Sequence, residues 1–424
     1  MRHTTTLALA AAVVVTMPFA LVANGDGHRR DDNYGQAMKD DSIQLGPRPF
    51  YLVEGMDDGE LKDRLLQCQR GPFYRTDFSI AHRGAALQFP EHSDLSYRAG
   101  ARMGAGIVEC DVTFTKDGEL VCRHSECDLH TSTNIVATAL NAKCTEPWTG
   151  PGQSRPPLCC TSDLTLAEYK TLTAKMDASD PSATTAQGYL GGTVAWRTDL
   201  YVGHANVLTL KESIALNQEL GVKHTPELKG ATHQHRVDAI FGGQKQYAQA
   251  LIDTLRDGGV APKDAWVQSF NKDDVLYWVN NAADFGKQAV FLDGIDPTAN
   301  PPVPGQTLSE LEALKADGAR IIAPPIWALL TVDAAGTLVP SQYALDIRAV
   351  GLDIIAWTLE RSDLRQGAAK GDWYYQFDPA GAAIAKDSDM YKALDVLAKD
   401  LKILGIFSDW PATVTYYANC MGLK

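Results

Sequence analysis

The chain has 424 residues, of which 45% are apolar and 21% charged, with a formal net charge of -13. That composition fits a soluble globular protein with a sizeable core. The negative excess argues against a broad contact surface for nucleic acid, although a metal or a local arginine can still reverse the field inside a pocket and admit a small anion.

The N-terminus reads MRHTTTLALAAAVVVTMPFALVANGDG, with a positive start at Arg2 and an apolar run ending in small residues before a polar stretch. This pattern predicts a cleaved signal peptide over residues 1–23, and hence a secreted or periplasmic protein. No later segment stays apolar for the ~18 residues that a spanning helix needs, so no stable membrane span is expected. Residues 24–77 are polar and mixed, and read as an extension packed on the domain that follows. An even set of eight cysteines, none in a paired C-x-x-C zinc pattern, suggests disulfides in an exported chain. The adjacent Cys159 and Cys160 are expected to bond to different partners; the connectivity stays open.

From residue 78 onward, short β-branched or aromatic runs recur: FSIAHRG (78–84), GIVECDVTFT (106–115), KHTPELK (223–229), AWVQSF (265–270), QAVFLD (288–293), ARIIAPP (319–325), DIIAWTL (353–359) and ILGIFSDWP (403–411). Helical patterns alternate with most of them and commonly end in glycine. One of them, TLKESIALNQELG, carries Thr209 and Glu212 at capping-box spacing and Gly221 as a stop. Eight strands alternating with helices are the arithmetic of an α/β fold of the (β/α)8 TIM-barrel type, over residues 78–424. An open doubly wound sheet is the other candidate, weakened by the lack of a glycine-rich loop after the first strand. Residues 125–207 hold four of the cysteines and much Pro, Gly, Ser and Thr. They read as a disulfide-containing insertion after the second strand, lying over one end of the barrel.

Within GIVECDVTFT, alternation puts Glu109 and Asp111 on one face and Cys110 on the other. Two carboxylates ~4 Å apart repel by about 4 kcal/mol at an effective dielectric of 20, so either one takes a proton or a cation sits between them. Hard oxygen donors favour Mg2+ or Ca2+ over zinc. At other strand ends lie His82, Arg83 and Gly84 in AHRG, then PEH at 90–92. TKDGELVCRH returns the chain to His124, and PELK presents Glu227 and Lys229 on one face.

This set resembles the glycerophosphodiester phosphodiesterase family, whose signature runs H-R-G, P-E-N, E-x-D-V, T-x-D-G with V-x-x-H, and E-x-K. The resemblance covers roughly residues 78–415, with VQSF, AWTL and GIFSDWP as further family-like segments and residues 125–207 as the main departure. It implies one divalent cation, Ca2+ or Mg2+, on Glu109, Asp111 and Glu227, and an acid/base pair in His82 and His124. Arg83 and Lys229 then lie near the substrate phosphate, Glu91 organises the site or contacts the substrate, and Phe270 and Trp357 line the mouth. His92 stands where the family has asparagine, which leaves the hydrogen bonds of that turn unspecified. The implied reaction converts a small glycerophosphodiester to an alcohol and sn-glycerol 3-phosphate through a cyclic phosphate. The competing readings are a barrel phospholipase of the D or phosphoinositide-specific C type acting on lipid head groups, and a catalytically silent binding barrel.

Overall fold

The computed structural model describes residues 43–294 and 305–423. The expected signal peptide, residues 1–23, and residues 24–42 of the expected extension lie outside them. Eight parallel strands close on themselves: β1 Thr76–Ala81, β2 Ala105–Phe114, β3 Lys223–Leu228, β4 Gln268–Ser269, β5 Val290–Leu292, β6 Ile321–Ala323, β7 Asp353–Leu359 and β8 Gly405–Ser408. β1 pairs with both β2 and β8, which completes the ring. The fold is therefore the closed (β/α)8 barrel that the strand arithmetic gives.

Alternation along the strands divides the core in two. Ile80, Ile107, Val290, Leu292, Ile321, Ile355 and Phe407 form one buried cluster that fills the cylinder. A larger cluster, including Val108, Val112, Leu251, Trp278 and Ile354, lies between strands and helices. Local chemistry sets the helix ends. In the helix Leu210–Leu220, the Thr209 hydroxyl accepts from the Glu212 N–H at 3.0 Å, and the Glu212 carboxylate accepts from the Thr209 N–H at 2.9 Å. Gly221 then ends the helix at φ 65°, where a side chain would be strained. The helix Met390–Lys399, absent from the sequence reading, precedes β8. Among the described residues no helix is long and apolar enough to cross a membrane.

After β2 the chain makes a short antiparallel return, Leu120–Cys122, and enters the long inserted segment. That segment is built from short turns around its own apolar cluster, with Leu129, Ile135, Leu164 and Tyr169 at its centre. Cys127–Cys160 and Cys144–Cys159 tie it together, so the adjacent cysteines do take different partners. Cys110–Cys122 links β2 to its return strand, and Cys68–Cys420 links the extension to the helix Pro411–Met421.

The described part of the extension is anchored by charge as well. Arg48 clamps the Glu360 carboxylate, Nε donating to Oε1 at 3.0 Å and Oε2 at 2.9 Å and Nη2 to Oε2 at 2.5 Å, and Glu360 is 1% exposed. Removing one partner of such a pair leaves a buried charge uncompensated. Arg48→Ala is therefore expected to lower unfolding stability by about 3 kcal/mol, read from urea denaturation. A change below about 0.5 kcal/mol would show that Glu360 is satisfied without the extension.

Candidate active site

The strand ends of β1, β2 and β3 build one side of the site. The turn after β1 places Arg83 at φ 55° and Gly84 at φ 98°. A Cβ on Gly84 would stand 2.3 Å from Ser96 Oγ, so only glycine lets the following helix pack this close. Ser96 Oγ accepts from the Ala85 N–H at 2.8 Å and donates to the Arg83 carbonyl at 3.1 Å, which fixes the turn. Glu109 and Asp111 point to one side of β2, and register sets Asp111 directly beside Glu227 of β3. One oxygen from each of Glu109, Asp111 and Glu227 lies within 4.8 Å of the others.

Basic groups and an amide surround these acids. Lys229 Nζ is 2.6 Å from Glu227 Oε1 and 3.9 Å from Asp111 Oδ1. Arg83 Nε is 3.4 Å from Asp111 Oδ2, and the Arg83 backbone N–H donates to Glu109 Oε2 at 3.0 Å. Gln268 Nε2 donates to Glu109 Oε1 at 3.0 Å. His92 bridges Asp111 Oδ2 at 2.8 Å and the Tyr97 hydroxyl at 3.2 Å. The ring thus takes over the turn's hydrogen bonding, with Nε2–H donating to the carboxylate and Nδ1 accepting from the phenol.

The acids do not titrate alike. Burial, then the charges of Asp111 and Glu227, push Glu109 well above the usual carboxylate range. Burial, opposed by Lys229, brings Glu227 to about 8. Burial acts upward on Asp111 too, but Lys229, His92 and Arg83 outweigh it and hold the group well below its ordinary value. Asp111 Oδ1 is buried and has no hydrogen-bond partner among the described residues. An all-oxygen donor set with an orphaned carboxylate oxygen fits a hard divalent cation.

The histidines stand on the same cavity. His82 Nδ1 lies 2.6 Å from Asp409 Oδ1, while its Nε2 is 3.8 Å from Glu109 Oε2. Burial, helped by the Arg83 charge, lowers His82 to about 4 against the pull of Asp409. Burial and then Arg83 and Lys229 lower His124 well below its ordinary value. The fully buried Arg123 holds the backbone before His124, its Nη2 donating to the carbonyls of Glu91 at 2.8 Å and His92 at 3.1 Å.

His82, Arg83, Glu109, His124, Glu227, Lys229, Phe270 and Trp357 all line a cavity of about 420 Å³ at this end of the barrel. Asp111 completes the acidic cluster at its wall. Glu91 does not line the cavity. It lies behind Arg83, accepting from Nη1 at 2.8 Å, and burial there is outweighed by Arg83 and Arg361, so it stays well below the usual range. The Arg83 guanidinium, which lines the cavity, stands between Glu91 and the open space. The Trp357 indole N–H donates to the Ala323 carbonyl at 2.7 Å, and its ring meets Phe270 edge-on at 5.8 Å and Trp373 face-on at 5.6 Å.

Several wall residues escaped the sequence reading. Trp373 and Tyr374 come from the irregular segment after β7, which has no strand or helix period to place it. Arg361 stands two residues beyond AWTL, and Asp409, which contacts His82 behind the wall, lies inside GIFSDWP; both segments stood out, yet the individual residues did not.

An acid cluster, two histidines and three cations at the open end of a closed parallel barrel define a (β/α)8 enzyme whose polar centre sits where strands meet loops. The chain belongs to the glycerophosphoryl diester phosphodiesterase family, whose family model matches residues 82–413. An extracellular protein of Arthroderma benhamiae is 42% identical over 253 residues, which are 58% of this chain and all of that protein. A glycerophosphodiester phosphodiesterase of Arabidopsis thaliana is 26% identical over 221 residues, 50% of this chain and 54% of its own length, so about half of the plant enzyme is spanned. In fold, the chain is similar to a crystal structure from Silicibacter pomeroyi ascribed to the same activity, with TM-score 0.54 and 17% identity over 84% of this chain and 96% of that one.

Proposed function

We propose that this protein hydrolyses small glycerophosphodiesters to an alcohol and sn-glycerol 3-phosphate outside the cytoplasm, with one Ca2+ or Mg2+ as cofactor. The observation that carries the reading is the convergence of His82, His124, Glu109 and Glu227 with Arg83 and Lys229 on one cavity. The setting of four disulfides and the likeness to an extracellular relative support export.

Arg83 and Lys229 offer positive charge to a phosphodiester arriving in the cavity, and Glu91 keeps the Arg83 guanidinium in place. Asp409 accepts from the Nδ1–H of His82, which leaves Nε2 bare and facing the cavity as a base. His82 takes the proton of the glycerol 2-hydroxyl as that oxygen bonds to phosphorus. His124, protonated when the anion offsets its cationic neighbours, gives a proton to the alcohol oxygen as the phosphorus–oxygen bond breaks. The product of that step is a cyclic phosphate. In the second half the roles reverse: a water is deprotonated at His124 and the glycerol 2-oxygen is reprotonated from His82. Glu109, Asp111 and Glu227 would hold the divalent ion, which when bound would supply Lewis-acid charge to the substrate; this gives a reason for a glycerol ester to be the substrate. Phe270 and Trp357 border the leaving alcohol.

Incubation with glycerophosphocholine is expected to release sn-glycerol 3-phosphate, and thorough chelation is expected to stop it. Product formation that survives metal removal would exclude the cation site; no product from any glycerophosphodiester, with metal supplied, would exclude the activity.

A further inference from the structure

A chain of charged groups runs from the inserted segment to His82. Arg197 Nη1 is 2.6 Å from Asp177 Oδ1, and Asp177 Oδ2 is 3.3 Å from Arg361 Nη2; both Asp177 and Arg197 belong to the insertion. Arg361 Nη1 donates to Asp409 Oδ2 at 2.9 Å, and the other oxygen of Asp409 lies 2.6 Å from His82 Nδ1. Arg361 Nη2 is also 3.7 Å from Glu91 Oε2, the partner of Arg83. At its far end, Arg197 Nη2 donates to the Ala86 carbonyl and Nε to the Leu87 carbonyl at 3.4 Å, just beyond the His82–Arg83–Gly84 turn. The network is closed: it leaves the barrel at the turn, crosses the insertion, and returns to the barrel at Asp409.

We infer that the insertion is a working part of the active site, in which Asp177, held by Arg197, is a positioning residue that sets Arg361, and through Arg361 and Asp409 the ring of His82. This rests on His82 acting in the reaction as proposed above. Arg361 is a long side chain on the cavity wall with carboxylates on several sides. A guanidinium has a rigid fork, so pinning one Nη nitrogen fixes where the other points. With Asp177 in place, Nη1 faces Asp409. Without it, Arg361 is free to turn toward Glu91 or the cavity, and Asp409 loses its second fixed partner. The insertion has its own apolar cluster and two disulfides, so its folding does not depend on this aspartate.

Asp177→Asn keeps size and removes the charge. It is expected to lower kcat about tenfold, with KM within about twofold of the parent and the unfolding midpoint unchanged, in keeping with coupling through contacting residues. Asp177→Glu should recover part of the loss. Arg197→Met, loosening the same aspartate from the other side, should give a kcat loss of the same kind. In an Asp409→Asn background, Asp177→Asn should cost nothing further, because the link it acts through is already cut. Arg155→Ala, an exposed change elsewhere in the insertion, should match the parent. Parent-like kcat in both Asp177→Asn and Arg197→Met would overturn the inference, as would a loss confined to KM or a full additive loss in the Asp409→Asn background. The outcome separates from that of the proposed function: an active His82→Ala sinks the acid/base reading, whereas an inert His82→Ala with an unimpaired Asp177→Asn sinks only the positioning role.

Discussion

His82→Ala is expected to turn over glycerophosphocholine at least ~10³-fold more slowly than the parent, with KM little changed and the fold intact. A positioned general base or acid is worth ~10²–10⁴ in rate, and this imidazole would serve as both in successive halves of the reaction. The fold should tolerate the change because Asp409, the partner left behind, keeps its bond from Arg361 at 2.9 Å. His124→Ala should fall to a similar level. The double variant should be little worse than either single one, since residues that act as a unit are not additive. Asp409→Asn should fall less far: the ring remains, but the amide can present its NH2 group to Nδ1 and favour the wrong tautomer. Single-turnover assays on variants with unchanged circular dichroism provide the measurement. A His82→Ala enzyme within tenfold of the parent would remove that residue from the chemistry.

Glu227→Gln is expected to lower affinity for Ca2+ or Mg2+ by about 100-fold or more, since it replaces an anionic donor in a three-carboxylate set. Two readouts are independent of turnover. Calorimetric titration gives the affinity directly. Thermal melts give the linkage: a ligand at 100 times its dissociation constant stabilises the native state by about 2.7 kcal/mol, so added metal should raise the parent's midpoint and leave the variant's nearly unmoved. The metal-free melts carry a second sign. Without a cation, burial beside Asp111 raises Glu227 to about 8, so the carboxyl is largely protonated at neutral pH and the neutral amide is close to isosteric with it. The metal-free variant should therefore melt no lower than the metal-free parent. Equal metal-induced stabilisation in both proteins would point to a different third ligand.

Much of this molecule is legible in its sequence because strand alternation and strand register are simple rules. The i, i+2 spacing of Glu109 and Asp111 puts both on one face, and parallel pairing then brings Glu227 alongside. Six of the eight barrel strands fall inside the apolar runs that announce them, while β1 and β2 begin at Thr76 and Ala105, just ahead of theirs; β4 shrinks to Gln268–Ser269, with Ala265 making only an isolated bridge to His224. What escapes the sequence is whatever depends on side-chain reach. Glu91 shares a segment with His92, yet Glu91 ends behind a guanidinium while the His92 ring meets Asp111. Arg361 and Asp177 are 184 positions apart and no periodicity connects them. Trp373 and Tyr374 sit in a stretch of single turns, and only the folded chain shows that they close one wall of the cavity.

The two bridges of the insertion are nested, Cys144–Cys159 inside Cys127–Cys160, and both enclose the exposed stretch that includes Gly152 and Arg155. An exposed tip of this kind is where proteolytic nicking concentrates. A cut there severs one peptide bond but frees nothing, since each side of the break stays covalently fastened to the other through sulfur. Asp177 lies beyond the nested pair and keeps its tether to the barrel. A nicked molecule should thus migrate as two pieces only after reduction and otherwise go on working.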